Sequence, residues 1–291
     1  AFTWISEVPE HDRDPQSWLA LGQIALDLDR LDEARFVVEK LLDPQGGTTD
    51  PEEPEALLLR AGLASREGRG TEAIADLERA LVLMRQREDG LGETRVLSRL
   101  GQIALNDGHH AEARERFQAA LRSRQAAGDR SGEANCWFNL AISHLREGRP
   151  REARSELFKS LRIYQSLKET AGEASIWHNL ATLDLREGLT RDARRAWMEA
   201  LRLNQSLGDR GGEATAWHNL AAIDLREGQV NEARRKCGLS LRINQAIGDR
   251  AGEAAAWHEL GLIDLETGDF QAAKEKLRSS LQIKQSIGDR V

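Results

Sequence analysis

Three asparagines, Asn139, Asn179 and Asn219, stand 40 residues apart, and Arg146, Arg186 and Arg226 repeat at the same interval. An amide side chain offers both a donor and an acceptor, which matches a peptide backbone group. A guanidinium offers bidentate contact to a carboxylate. Both residue types in this arrangement point to binding. Residues that make or break bonds lack a usable pattern. His258-Glu259 begins the two-histidine pattern of a zinc peptidase helix, but Leu262 occupies the place of the second histidine. No glycine-rich loop ends in Gly-Lys-Ser/Thr, so no phosphate cradle of that type is present. His178, His218 and His258 also recur every 40 residues. No carboxylate or thiol at ligand spacing accompanies them, so neither a metal site nor a cofactor is expected. Cys136 lies beside Trp137 and Cys237 within an apolar row, the setting of small packing residues. No catalytic residues are expected.

Positioning such side chains in register needs a regular element. In a helix, the residues two before a tryptophan, two after, five after and nine after form one continuous face. This face reads Arg95, Arg99, Gln102 and Asn106, then Asn135, Asn139, Ile142 and Arg146. It continues as Ser175, Asn179, Thr182 and Arg186, then Thr215, Asn219, Ala222 and Arg226. Ala255, Glu259, Leu262 and Glu266 break the run, and Phe138, His178, His218 and His258 lie beside it. Two plainer roles compete with binding. The arginines sit in last turns, where a cation offsets the helix dipole, and the asparagines can bond a neighbouring helix. Asp184, Asp224 and Asp264 fall toward the packed side, where second-helix arginines are the expected partners.

The interval of 40 runs through the chain. Trp137, Trp177, Trp217 and Trp257 share it, as do Leu140, Leu180, Leu220 and Leu260. Seven units follow, at 15–53 (with a loop), 54–90, 91–130, 131–170, 171–210, 211–250 and 251–291, after a segment 1–14 read as the tail of a preceding helix and a linker. Each unit reads as two helices. In the sixth, Trp217, Leu220, Ala221 and Ile223 line one side of the first helix. Gly228 is placed to take a left-handed cap and Gly248 to stop the second helix. The second helix carries two apolar rows, Ala233–Cys237–Leu241 and Leu239–Ile243–Ile247, and so two buried sides. At the far end, Leu277, Leu281 or Ile283 is expected to be partly exposed, which predicts end-to-end self-association.

These residues resemble the tetratricopeptide repeat. In the fourth unit the matching positions are Trp137, Leu140, Ala141, Gly148, Ala153, Leu157 and Ser160. The period is longer than the family's usual length of about 34, and Asp184, Asp224 and Asp264 replace a common tyrosine. The long form is similar to repeats of kinesin light chains, of Rap-type peptide receptors and of sensor arms on bacterial nucleotide-switch regulators. The resemblance implies an all-α, right-handed superhelical solenoid of about seven antiparallel helix pairs, with the aligned face lining a concave groove. It also implies that Asn139, Asn179 and Asn219 hold an extended peptide. Packed helices repeat at roughly 10 Å and an extended chain rises about 3.3 Å per residue, so one asparagine meets every third ligand residue. Arg95, Arg99, Arg146, Arg186 and Arg226 would add a basic stripe that favours an acidic segment. His178, His218 and His258 would flank it.

Composition narrows the classes further. Of the 291 residues 31% are charged, and the longest apolar run is Ala80–Met84, far short of a membrane span. With 41 basic and 48 acidic residues, a general nucleic-acid surface is not expected. Two cysteines cannot form a disulfide framework and suit the cytoplasm. The expected function is a non-enzymatic scaffold for a protein or peptide partner. The alternative is the sensing or autoinhibitory arm of a larger signalling enzyme or transcriptional regulator.

Overall fold

The computed structural model describes residues 14–42 and 53–288. Segment 1–13, most of the loop expected at 43–54, and residues 289–291 lie outside the described residues. Among the described residues there are fourteen helices and no strand. The chain divides into two compact units at Arg149 and Pro150.

The first unit comprises α1 (Pro15–Asp27), α2 (Leu31–Leu41), α3 (Pro54–Arg66), α4 (Gly70–Gln86), α5 (Gly90–Asn106), α6 (His110–Ala126) and α7 (Arg130–Arg146). Each helix packs on its sequence neighbours, and α1 also meets α3 and α5 meets α7. Two clusters hold it together. Trp18, Val37, Leu41, Leu59 and Leu63 form one, and Leu77, Leu97, Leu100 and Phe117 centre the other.

The second unit comprises α8 (Pro150–Leu167), α9 (Thr170–Arg186), α10 (Thr190–Leu207), α11 (Arg210–Arg226), α12 (Val230–Ile247), α13 (Arg250–Glu266) and α14 (Phe270–Ser286). Its largest fully buried side chain is Trp197 of α10, which packs with Ala181, Ala200, Leu220 and Ile223. Cys237 and Leu241 of α12 pack with Ala221, Leu260 and Ile263 in the same way. Small residues at 221 and 233 let these backbones approach. The first apolar row of α12 is buried throughout. In the second row Ile243 is buried, Leu239 is half-buried and Ile247 is exposed at the helix end.

Short caps make the sharp reversals. At the end of α11, Gly228 has φ +74° and its N–H meets Leu225 O at 2.9 Å, while Gln229 N–H meets Asp224 O at 2.8 Å. That paired bond pattern satisfies two end carbonyls and requires the left-handed residue. At the start of α13, Asp249 accepts from Gly252 N–H at 2.9 Å.

Two buried polar networks recur at the helix interfaces. In the first, Asp224 is fully buried, 2.7 Å from Arg194 of α10 and ion-paired with Lys236 of α12. Asp264 has the same arrangement with Arg234 and Lys276. Asp184 has Arg154 at 2.5 Å, but Ala196 stands where the lysine would be. The expected pairing of these aspartates with second-helix arginines is present, and the arginine comes from the preceding second helix. In the second network, Glu213 accepts from Gln205 Nε2 at 3.2 Å and from the Trp217 indole N–H at 3.4 Å, and pairs with Arg210. Glu133 and Glu253 repeat it with Gln125, Trp137 and Arg130, and with Gln245, Trp257 and Arg250. The glutamate thus ties the start of a first helix to the second helix before it.

At α14 the expected exposure is found at Leu281, which is 41% exposed, and in part at Leu277. Ile283 departs from it: the residue is buried, because it turns inward with Ala273 and Ser280.

Candidate functional site

The face read from the sequence is built differently in the two units. In the second unit, Asn179 of α9 donates from Nδ2 to Ser175 O at 2.8 Å, and Asn219 of α11 donates to Thr215 O at 2.9 Å. Each amide therefore spends one N–H on its own helix, four residues back, which fixes its orientation. The carbonyl oxygen and the second N–H have no other partner among the described residues. Arg186 and Arg226, one turn beyond Thr182 and Ala222, are exposed and meet no carboxylate among the described residues.

The flanking histidines are not equivalent. His178 packs edge-on against Trp197 with ring centroids 4.5 Å apart, and burial holds its pKa below the ordinary value. It is part of the packing around that tryptophan. His218 is half-buried and His258 exposed. Among the described residues no group of three His, Cys, Asp or Glu has metal-holding geometry.

In the first unit the cations are more committed. Arg146 Nη1 donates to Leu105 O at 3.0 Å, tying the ends of α7 and α5 together. That carbonyl lies in the last turn of α5 and also takes the Gly108 N–H at 3.4 Å. Arg95 is exposed, 3.7 Å from Glu55. Arg99 lies along the α3 backbone, donating from Nη1 to Leu58 O at 2.9 Å and from Nη2 toward Gln23 Oε1 at 3.4 Å. Burial lowers its pKa, Arg95 adds to the effect, and Asp27 opposes it. Asn139 is half-buried. Beside Arg99 opens a cavity of about 370 Å³ between α1, α3 and α5.

That cavity is the feature the spacing argument missed. The signal was present: Gly62 falls where neighbouring helices carry Gln23 and Gln102. Neither cysteine is poised as a nucleophile. Burial pushes the Cys136 thiol up to about 11 and the Cys237 thiol to about 12.

Tetratricopeptide repeat models match residues 52–126, 94–166 and 212–286, and a further one matches 15–43. No match was found among curated protein sequences. Among solved structures, the apo form of RapI aligns with TM-score 0.67 at 14% identity, over 95% of this chain and 99% of that one. BtubC from P. vanneervenii aligns with TM-score 0.67 at 22% identity, over 75% of this chain and 92% of that one. A signal transduction ATPase with a tetratricopeptide repeat sensor, from Pyrococcus horikoshii, aligns with TM-score 0.74 at 14% identity, over 94% of this chain and 42% of that one. At these identities the likeness is one of fold. Repeats of this kind generally mediate protein–protein interaction and are typically non-enzymatic. No helix among the described residues is long and apolar enough to cross a membrane. With the repeat models covering more than half of its length and paired helices along each unit, the chain belongs to the tetratricopeptide repeat family.

Proposed function

We infer that this chain is a scaffold that holds an extended, acidic segment of a partner protein on its first-helix faces. The observation that supports this most is in the second unit. Arg186 and Arg226 are exposed without a carboxylate, on the same faces as Asn179 and Asn219, whose amides are already oriented by their own helices. Other arginines nearby, Arg154 and Arg194, are spent on aspartates. In the first unit Arg95, Arg99 and Asn139 extend the reading, while Arg146 has a tie of its own. His218 and His258 flank the face, and His178 contributes through Trp197. The two unpaired, buried cysteines are what favours a cytoplasmic setting.

A labelled peptide alternating Glu and Gly, followed by fluorescence anisotropy, tests this. Asn179→Ala with Asn219→Ala removes hydrogen bonds worth roughly 0.5–1.5 kcal/mol each and weakens binding at any salt. Arg186→Ala with Arg226→Ala removes charge. Its loss is greatest at low salt and shrinks as the Debye length falls below about 10 Å. Glu232 and Arg235, an exposed pair on α12, are the control. Arg234 is unsuitable, since it is paired with Asp264. Wild-type affinity in both groove variants across the salt series would move the site elsewhere.

The arm reading is favoured by one observation. In the Pyrococcus ATPase a repeat sensor of this fold is part of a longer chain. In such an arm, the same face of this chain would hold another domain of its own protein. A second copy is also proposed as a partner for α14, through Leu281 and the exposed Phe270. Sedimentation of the wild type should rise with concentration, and Leu281→Glu should abolish the rise. A wild type that stays monomeric throughout rejects the contact.

A further inference from the structure

The cavity of the first unit has a single structural cause. Gln23 of α1, Gly62 of α3 and Gln102 of α5 each stand six residues before the left-handed residue that closes their helix, Asp29, Gly68 and Gly108. They share one register, and the middle one has no side chain. The space this leaves measures about 370 Å³, near the lower end of ligand pockets. Its floor is apolar, made by Leu26, Ala61, Leu77 and Ile103. A Cβ at Gly62 would come within 2.9 Å of a Leu26 methyl and 3.2 Å of Arg99 Nη1, so the glycine also lets Arg99 lie close.

Arg99, like Arg146, meets a backbone carbonyl in place of a carboxylate, but of the two only Arg99 lines the cavity. Arg60, Arg114, Arg116 and Arg124 each meet a carboxylate. Arg99 is half-buried as well, yet meets only a backbone carbonyl and the Gln23 amide. Interior charges are ordinarily paired, because an unpaired one keeps the cost of leaving water. A guanidinium has five N–H donors, so several stay open here. Arg95, one turn away, adds positive field. Asp27, whose carboxylate accepts from Gln23 Nε2 at 2.8 Å, also lines the cavity and disfavours a second negative charge on any ligand.

We propose that this cavity binds a small organic monocarboxylate with an apolar body, the carboxylate on Arg99 and the body on the Leu26–Leu77–Ile103 floor. The site goes beyond the peptide reading, since it is a cavity built by α1, α3 and α5 of the first unit. It shares Arg99 with that reading but none of Asn179, Asn219, Arg186 and Arg226. It makes the first unit a small-molecule site, and binding there would brace three helices that otherwise meet across a gap.

Calorimetric titration of the full chain with three probes tests it: 4-methylpentanoate, 4-methylpentan-1-ol and inorganic phosphate. The carboxylate should bind, and the alcohol and phosphate should bind roughly tenfold or more weakly, since each lacks one half of the recognition. Gly62→Gln places in α3 the residue that α1 and α5 already carry. It fills the cavity and removes a helix-interior glycine. Its Cβ, 2.9 Å from a Leu26 methyl and 3.2 Å from Arg99 Nη1, displaces only the ends of two flexible side chains, and an unchanged melting curve verifies the fold. It should abolish carboxylate binding while leaving the acidic-peptide titration of the second unit unchanged. Arg99→Gln should lower carboxylate affinity roughly tenfold or more; if that variant does not fold, Gly62→Gln decides. Carboxylate binding no tighter than the alcohol, or full affinity in Gly62→Gln, overturns the assignment.

Discussion

Replacing Trp197 by alanine should destabilise the second unit by about 3–5 kcal/mol, the range for truncating a fully buried aromatic. Trp197 is 1% exposed and bridges residues of α9, α10 and α11. Its edge contact with His178 would be lost as well. The indole nitrogen has no hydrogen-bond partner among the described residues, so the loss is one of packing and cavity formation. Trp217→Ala should cost less, because that indole is only half-buried. Repeat arrays behave as chains of nearest-neighbour interfaces. The damage should therefore appear as lost hydrogen-exchange protection in α9, α10 and α11, with α13 and α14 less affected. Unchanged protection there, with an unchanged melting curve, would mean that this cluster does not hold the unit together.

The second large effect is expected at Asp224. Asp224→Ala leaves Lys236 at a buried interface without its anion and Arg194 with only Glu227, at 2.7 Å. Breaking a buried pair from one side costs about 3–5 kcal/mol. Asp184→Asn should cost much less, because asparagine keeps the side chain's size and polarity and, with Ala196 at the lysine position, only Arg154 loses its anion there. At Asp264, burial is the largest single influence and pushes the pKa up, but Lys276 and Arg234 together bring it below the ordinary value. At Asp184, burial again leads, only Arg154 offsets it, and the pKa is raised. The signs then differ. A lowered pKa gives stability that is present above the unfolded value of about 3.9 and lost as pH falls. A raised one gives stability that is present below that value and lost as pH rises through the folded pKa. Urea melts between about pH 3 and 6 should show Asp184→Asn gaining on the wild type toward the upper end. The same melts at neutral pH should show Asp224→Ala far below both. Equal stabilities for the two variants would reject the three-partner account.

The helix pairs were legible because packing against two neighbours forces an apolar period, and 40-residue spacing of Trp137, Trp177, Trp217 and Trp257 makes it plain. The caps were legible for the same local reason, and Gly228 and Gly248 both have positive φ. What spacing alone hides is which neighbour a polar side chain reaches. Lys236 and Lys276 repeat like surface residues yet close on buried aspartates. Glu213 reads as a helix-start acid, but Gln205 and Trp217 converge on it only once α10 packs on α11. Arg146 and Arg99 read as members of a stripe. Each reaches a backbone carbonyl 41 residues earlier, a contact that exists only across adjacent helices. The Gly62 cavity is of the same kind, because an absent side chain becomes a space only when walls stand on both sides of it.

Within each unit, the extensive helix contacts are between neighbours in sequence or next but one, with Arg99 of α5 reaching Gln23 of α1 as the exception. No strand or helix has to wait for a distant segment before it can be covered. Closing a loop grows only slowly more costly with its length, and from α3 onward each connection is only two or three residues. Low contact order of this kind goes with fast folding. During synthesis, each pair of helices can therefore settle on the pair before it while the rest of the chain is still being made. A nascent array of this design exposes one unfinished interface at a time, whatever its final length.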